Sequence, residues 1–135
     1  AFYLLRSCAK AMTKGGGSIV LMSSAIARHG YAAHEAIAAA KAGIVGMALA
    51  AAASYAPRGI RINCVAPGLT DTPLASGITK NDAALKASLA MHADGKIGSP
   101  DDVARAIQFF LDPANSHITG QILAVDGGLG SVRAK

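Results

Sequence analysis

Short apolar segments alternate with longer helical patterns along the chain. Predominantly apolar runs cover residues 18–22, 60–66 and 121–125, and glycine, serine or proline lies beside them. Runs of this length that lack strict polar alternation predict strands buried on both faces, as in parallel sheets. The sequence therefore predicts three strands of one parallel sheet.

Helical patterns fill the intervals between these strands. Apolar residues recur at helical spacing over 1–12, and an alanine-rich stretch runs over 34–56. Two more helices are predicted at 81–91, capped by an asparagine, and at 100–111, which begins with a serine–proline pair. The resulting order predicts an α/β fold whose sheet is covered on both faces.

Length and composition suggest how much of such a fold is present. The 135 residues are 52% hydrophobic, which fits one domain and excludes a wholly disordered chain. Three strands are fewer than the roughly six of a doubly wound domain, and the chain opens without methionine. We expect residues 1–135 to form a single partial domain, the C-terminal part of a Rossmann-like doubly wound parallel sheet.

Charge and hydropathy argue against two classes of partner. The net charge is +5, but the basic residues are scattered and do not interleave with aromatic residues, so no nucleic-acid partner is expected. The most apolar stretch, residues 36–56, is interrupted by Lys41, two glycines and Ser54. We therefore predict no membrane-spanning segment.

The spacing of the cysteines and histidines indicates neither a disulfide framework nor a zinc site. Cys8 and Cys64 are too few for a disulfide framework, and no histidine lies at zinc-ligand spacing from either. We expect reduced thiols in a cytoplasmic protein, with no metal site. His92 and His117 are expected at the surface.

Polar residues follow two of the predicted strands. Ser23 and Ser24 come after the first strand, and residues 67–72 come after the second. Lys41 lies in the helix between them. Because ligands of open α/β sheets bind beyond the carboxyl ends of the strands, these residues are the candidate site.

Four motifs in this order resemble the short-chain dehydrogenase/reductase family, from residue 1 to about 128. Residues 16–24 (GGSIVLMSS) resemble the strand that ends at the catalytic serine, and residues 40–43 (AKAG) resemble the active-site helix. Residues 58–68 (RGIRINCVAPG) resemble the strand and loop that meet the nicotinamide. Residues 119–128 (TGQILAVDGG) resemble the last strand.

The resemblance implies hydride transfer between NAD or NADP and a small carbonyl or alcohol substrate. Ser24 would hydrogen-bond the substrate oxygen. Lys41 would hold the nicotinamide ribose and lower the pKa of a catalytic tyrosine. The implied cofactor loop contains Pro67, Gly68, Thr70 and Thr72.

One position departs from the family pattern. The tyrosine would lie four residues before Lys41 and thirteen after Ser24, but that residue is Ile37. Isoleucine has no proton to give, and general acid–base catalysis is typically worth about 10²–10⁴ in rate. His34, two helical turns before Lys41, and Tyr31 in the preceding loop are candidate replacements.

Two functions remain open at this stage. One is an NAD(P)-dependent oxidoreductase with an atypical active site. The other is a catalytically impaired homologue that serves as a cofactor-binding or scaffolding subunit. In either case the resemblance implies a homodimer or homotetramer formed through the helices at 1–13 and 34–56.

Overall fold

The computed structural model describes residues 1–132. Its sheet contains strands β1 (Gly17–Met22), β2 (Ile60–Pro67) and β3 (Ile122–Val125). They pair in the order β1-β2-β3, and both pairs are parallel. The predicted α/β fold with a parallel sheet is confirmed, and each strand lies within one residue of its predicted bounds.

Within the described residues, five α-helices lie between and around the strands. They are α1 (Phe2–Ala11), α2 (Glu35–Tyr55), α3 (Ser76–Thr79), α4 (Asp82–Met91) and α5 (Pro100–Leu111). The helices predicted from periodicity and caps are all present. Helix α3 was not among the predicted helices, because a helix of one turn is too short to produce a hydrophobic period.

Two helix starts form as their sequences predict. The Asn81 side chain accepts a hydrogen bond from the backbone N–H of Ala84 at 3.0 Å. Ser99 and Asp102 form a reciprocal capping box at the start of α5, where Pro100 is the first helical residue. Both caps satisfy backbone N–H groups that have no partner within the helix.

The core lies on both faces of β2. Alternate residues Ile60, Ile62 and Cys64 are fully buried in a cluster with α1 and α2. Val65 points to the opposite face, where it joins Ala106 and Phe110 of α5 in a second cluster. The sheet is therefore sandwiched between helices, and its carboxyl edge is the open rim on which a site can be built.

Side chains of β2 also hold the chain that leads into β3. Arg61 Nη1 donates to the carbonyl of Phe110 at 2.8 Å, near the end of α5. The buried Asn63 donates from Nδ2 to the Ile118 carbonyl at 3.0 Å and accepts from the Gln121 N–H at 2.9 Å. These bonds fix where β3 begins beside β2.

Helix α2, together with the turn that extends it to Arg58, is long and apolar enough to cross a membrane by length and composition alone. In the fold it packs along β2 with Ala48, Ala51 and Ala52 buried. One such helix is weak evidence for a span, and 17% of its most apolar window is buried within the described structure.

Candidate functional site

Lys41 reaches the carboxyl end of β1. It lies two turns into α2, and its Nζ donates to the carbonyl of Met22 at 3.3 Å. Met22 is the last residue of β1 and precedes Ser24 by two residues. The ammonium group therefore lies at the end of β1 that leads to Ser24. The predicted proximity of the lysine to the serine end of β1 is present.

Two adjacent serines link this end of β1 to its neighbours. Ser23 is buried, donates its hydroxyl to the Lys41 carbonyl at 2.9 Å, and donates its N–H to Val65 O at 2.8 Å. Ser24 is partly exposed, and its Oγ lies 3.4 Å from the Pro67 carbonyl. Ser23 thus fixes the backbone while Ser24 faces the rim.

Gly68 begins the loop after β2 in a tightly packed position. Its N–H donates to Val125 O at 3.0 Å. A Cβ on Gly68 would lie 2.9 Å from Asp126 Cα and 3.1 Å from His92 Nε2, so a larger residue would displace the backbone. The glycine is required by this packing.

The rest of this loop is held by one short bridge. Thr70 pairs with Gly98, whose N–H donates to Leu69 O at 2.8 Å. Thr70 and Thr72 are both partly exposed at the rim, and the Thr70 hydroxyl donates to the Gly68 carbonyl at 3.3 Å. Parallel strands place this loop and the end of β1 on the same edge of the sheet.

The two candidate proton donors lie at the start of α2. His34 is the exposed N-cap residue, with Nδ1 2.8 Å from the Ala32 carbonyl. Tyr31 is partly buried, and its hydroxyl donates to Leu129 O at 3.1 Å. Burial, followed by the negative charge of Asp126, raises the pKa of this phenol. That direction is opposite to the one that favours proton transfer near neutral pH.

Ile37 is 46% exposed, although it lies in a long apolar helix. It precedes Lys41 by one helical turn and so shares its face of α2. An exposed apolar side chain next to a lysine on the rim is positioned to contact a ligand.

The histidine prediction was half right. His117 is exposed, as expected, but His92 is 2% exposed. It is buried because the chain returns from α4 to the base of the loop at Gly68, a tertiary contact that no local pattern encodes. The expected surface position of His92 was therefore wrong, while Ser23, one of the two serines expected at the site, is buried next to that site.

Both cysteines are free thiols, with Cys64 buried in the core and Cys8 partly buried. Burial raises the pKa of the Cys64 thiol, while hydrogen bonds from Ser23 and the charge of Lys41 act in the opposite direction. The thiol is therefore a core group beneath the site. Among residues 1–132, no cluster of three or more potential metal ligands is found.

A parallel sheet between helices, with Lys41 held at the end of β1 that leads to Ser24, defines an α/β protein of the Rossmann-like type. Residues 1–130 match the sequence profile of the family described as enoyl-(acyl carrier protein) reductase. The chain belongs to the short-chain dehydrogenase/reductase family and corresponds to its C-terminal portion.

Curated relatives support this assignment. The chain is 43% identical over 118 residues to a cis-4-hydroxycyclohexanecarboxylate dehydrogenase of Sinomonas cyclohexanicum, covering 87% of this chain and 47% of that protein. It is 38% identical over 113 residues to the 3-oxoacyl-[acyl-carrier-protein] reductase FabG of Thermotoga maritima, covering 84% and 45%. The chain thus spans about half the length of these relatives.

A solved structure agrees in fold. A protein of Agrobacterium tumefaciens, provisionally assigned as a 2-deoxy-D-gluconate 3-dehydrogenase and solved with bound NADP, superposes with a TM-score of 0.89. It is 32% identical, and the superposition covers 95% of this chain and 53% of that one. Homologues of this chain therefore bind NADP.

Proposed function

We propose that this chain contains the residues that bind the nicotinamide and the substrate in an NAD(P)-dependent oxidoreductase. The enzyme would act on a small carbonyl or alcohol. The observation that carries the proposal is the 3.3 Å contact from Lys41 Nζ to Met22 O, which holds an ammonium group at the end of β1 near Ser24. Family membership and oxidoreductase relatives support the same reading.

The residues at this rim fit a nicotinamide dinucleotide. The Lys41 ammonium has three N–H groups, and one of them is used on Met22 O. The salt bridge found among residues 1–132 joins Arg105 and Asp102, so no carboxylate of the described chain pairs with Lys41. Lys41 can therefore bind ribose hydroxyls, and the loop of Pro67, Gly68, Thr70 and Thr72 can offer backbone and hydroxyl groups beside it.

The chain's own residues would bind and orient the substrate. A bound nicotinamide would supply or accept the hydride. Ser24 would turn its hydroxyl hydrogen from the Pro67 carbonyl to the substrate oxygen, and Lys41 would stabilise negative charge that develops there. Ile37, exposed on the same helix face, would pack against the substrate or the nicotinamide ring and exclude water.

Proton delivery is the unusual part of this proposal, because Ile37 occupies the position that corresponds to the family's tyrosine. We propose His34 ahead of Tyr31 as the proton donor. The Tyr31 phenol is bound to Leu129 O and its pKa is raised, whereas the His34 ring is exposed at the start of α2. His34 lies about 10 Å of helix rise from Lys41, so the substrate would have to extend between them.

A second function is favoured by the same isoleucine. A chain that keeps Lys41 and Ser24 but lacks the proton donor could bind cofactor without turnover, as a binding or scaffolding subunit. The two candidates differ in a single measurable property, which is whether bound NAD(P)H is consumed when a carbonyl substrate is added.

The named relatives suggest which carbonyl compounds to supply. One is a dehydrogenase of a hydroxycyclohexane carboxylate, and the other is a reductase of 3-oxoacyl groups on acyl carrier protein. We propose a small carbonyl or alcohol substrate of this chemical range, with NADP or NAD as the cofactor.

We further propose a cytoplasmic homodimer or homotetramer formed through residues 1–13 and 34–56. Its support is apolar exposure on these helices. Phe2, Tyr3 and Leu4 are 57%, 80% and 70% exposed on α1, and Leu49 of α2 is 47% exposed. Exposed apolar groups of this kind are typical of a surface that another copy covers.

The proposed activity is tested by NADPH and NADH oxidation on the protein expressed from its full gene, with cyclic ketones and 3-oxoacyl thioesters as substrates. We expect measurable turnover that Ser24→Ala lowers by about 10²–10³. Ser7→Ala, an exposed serine on α1, is the matched control and should have no effect. Cofactor binding without turnover of any substrate would favour the scaffolding function.

Proton delivery is tested by two more variants in the same assay. His34→Gln should lower kcat by about 10²-fold or more if the imidazole is the proton donor, whereas His117→Gln should not change it. Ile37→Tyr should raise the rate when it restores a phenol one turn before Lys41. Unchanged kcat in His34→Gln would contradict the role of His34.

A further inference from the structure

His92 is a buried imidazole with a fixed tautomer. It follows α4 directly, is 2% exposed, and its Nδ1 lies 2.7 Å from the Ser88 carbonyl. A carbonyl oxygen only accepts hydrogen bonds, so Nδ1 carries the proton. In the neutral ring Nε2 is then an acceptor.

That acceptor has no hydrogen-bond partner among the described residues. Nε2 of His92 is fully buried and is the one buried side-chain nitrogen or oxygen atom in residues 1–132 without a partner. Buried polar atoms are nearly always paired, so an exception needs an explanation. Here the Nε2 edge of the ring faces backbone carbon, which forms no hydrogen bond with it. The close packing of the ring at this position leaves Nε2 unpaired.

The backbone that it faces is Gly68. A Cβ on Gly68 would lie 3.1 Å from His92 Nε2 on one side and 2.9 Å from Asp126 Cα on the other. The glycine therefore occupies a slot whose two walls are the imidazole edge and the backbone after β3. Gly68 begins the loop to which we assign the cofactor.

The chain between these two residues leaves the core and returns to the same point. Residues 69–91 contain α3 and α4, which pack against each other, and Ser88 is the one buried residue in these two helices. The His92 ring presents its Nε2 edge to the space beside Gly68 and bonds the Ser88 carbonyl through Nδ1. The ring thus connects the two ends of the segment 69–91.

We propose that His92 is a positioning residue that clamps the two ends of the segment 69–91 together. The loop at 67–72 and helix α4 are then held in one fixed relation. The clamp itself rests on the packing beside Gly68 and on the Nδ1 hydrogen bond to Ser88. Its consequence for the cofactor rests on the proposed function, because it assumes that this loop binds the nicotinamide side.

Two substitutions separate the roles of the ring. His92→Asn keeps an N–H at the δ position for Ser88 but removes the edge that faces Gly68. His92→Phe keeps a ring of similar size but removes the donor. His117→Asn, at an exposed histidine, is the matched control.

The first measurement is hydrogen exchange of backbone amides in the protein expressed from its full gene, which requires no cofactor. His92→Asn should speed exchange at the Gly68 amide about tenfold or more, while His92→Phe should leave that amide near wild type and instead speed exchange in the last turn of α4. Equal exchange at Gly68 in the wild type and His92→Asn would overturn the clamp.

The second measurement is NADPH and NADH affinity and steady-state kinetics of the same variants. His92→Asn should raise the cofactor Kd and KM about five- to tenfold with kcat changed less than twofold, and His92→Phe should stay within twofold of wild type. A loss of kcat at unchanged Kd, or equal weakening by both variants, would contradict positioning through the ring edge. A wild-type protein that binds neither cofactor would refute the proposed function. The exchange rate of the Gly68 amide would then still decide whether the clamp exists.

Discussion

At the level of single residues, the surroundings of Tyr31 decide what its phenol can do. Its hydroxyl donates to Leu129 O, and burial and the charge of Asp126 raise its pKa. The phenol is therefore held protonated by the fold. Tyr31 ties the loop before α2 to the turn after β3, which is a structural role for a residue that the sequence suggested as a proton donor.

This residue gives a prediction about alkaline pH. The folded protein favours the protonated phenol, so the stability it contributes is complete below the unfolded pKa of about 10 and is lost as pH rises through the higher folded pKa. The phenolate absorbance that disappears in Tyr31→Phe should titrate above pH 10, and Asp126→Asn should lower that midpoint. Tyr3→Phe, at an exposed tyrosine, is the control and should leave the Tyr31 midpoint unchanged. A Tyr31 midpoint below 10 would contradict the assignment.

Residue positions were predictable where a local motif fixes them. Ser24 and Lys41 follow from strand and helix motifs, and Lys41 does lie at the end of β1. The burial of His92 was not predictable, because it depends on a contact with Gly68, which is 24 residues earlier in the chain. The link from Tyr31 to Leu129 is more distant still in sequence.

At the level of elements, helix α5 depends on its first turn. Ser99 Oγ accepts from the Asp102 N–H, and Asp102 Oδ2 accepts from the Ser99 N–H at 2.8 Å. The Ser99 N–H and hydroxyl, followed by Arg105, lower the pKa of the Asp102 carboxyl. Because α5 covers the face of the sheet opposite α2, this cap supports the smaller of the two core clusters.

Removal of the cap should weaken the fold measurably. Ser99→Ala should lower the free energy of unfolding by about 1 kcal/mol, since an N-cap side chain is lost. Denaturant unfolding measures this change, and Ser7→Ala should change it by less than about 0.5 kcal/mol. The pKa of Asp102 should also move up toward its ordinary value. No loss of stability in Ser99→Ala would show that the cap is dispensable.

Elements with strong local signals could be predicted, and the short ones could not. The caps at Asn81 and Ser99 and the apolar strands all encode their positions locally. Helix α3 at 76–79 has a single turn, so its formation depends on packing against α4.

At the level of the whole molecule, apolar side chains on α1 and α2 lack cover within the described chain. Phe2, Tyr3 and Leu4 are more than half exposed, and Leu49 is nearly so. The sequence implied a self-association surface on these helices only through the family resemblance. The exposure of these side chains agrees with that proposal.

The oligomer proposal makes a prediction about mass in solution. Leu4→Glu combined with Leu49→Glu should convert a dimer or tetramer into smaller species, because burying unpaired carboxylates at an interface is costly. Sedimentation equilibrium measures the mass, and circular dichroism checks that the fold is retained. Lys86→Glu, on the exposed face of α4, is the control. A monomeric wild type would contradict the proposal.

The central claim is that Lys41 and Ser24 stand at a nicotinamide site, and NADPH affinity tests it most directly. Fluorescence titration of the protein expressed from its full gene should show binding that Lys41→Met weakens about 10- to 100-fold, as expected for a lost hydrogen bond from a charged donor. Lys86→Met should bind like the wild type. Equal NADPH affinity in Lys41→Met and the wild type would contradict the account.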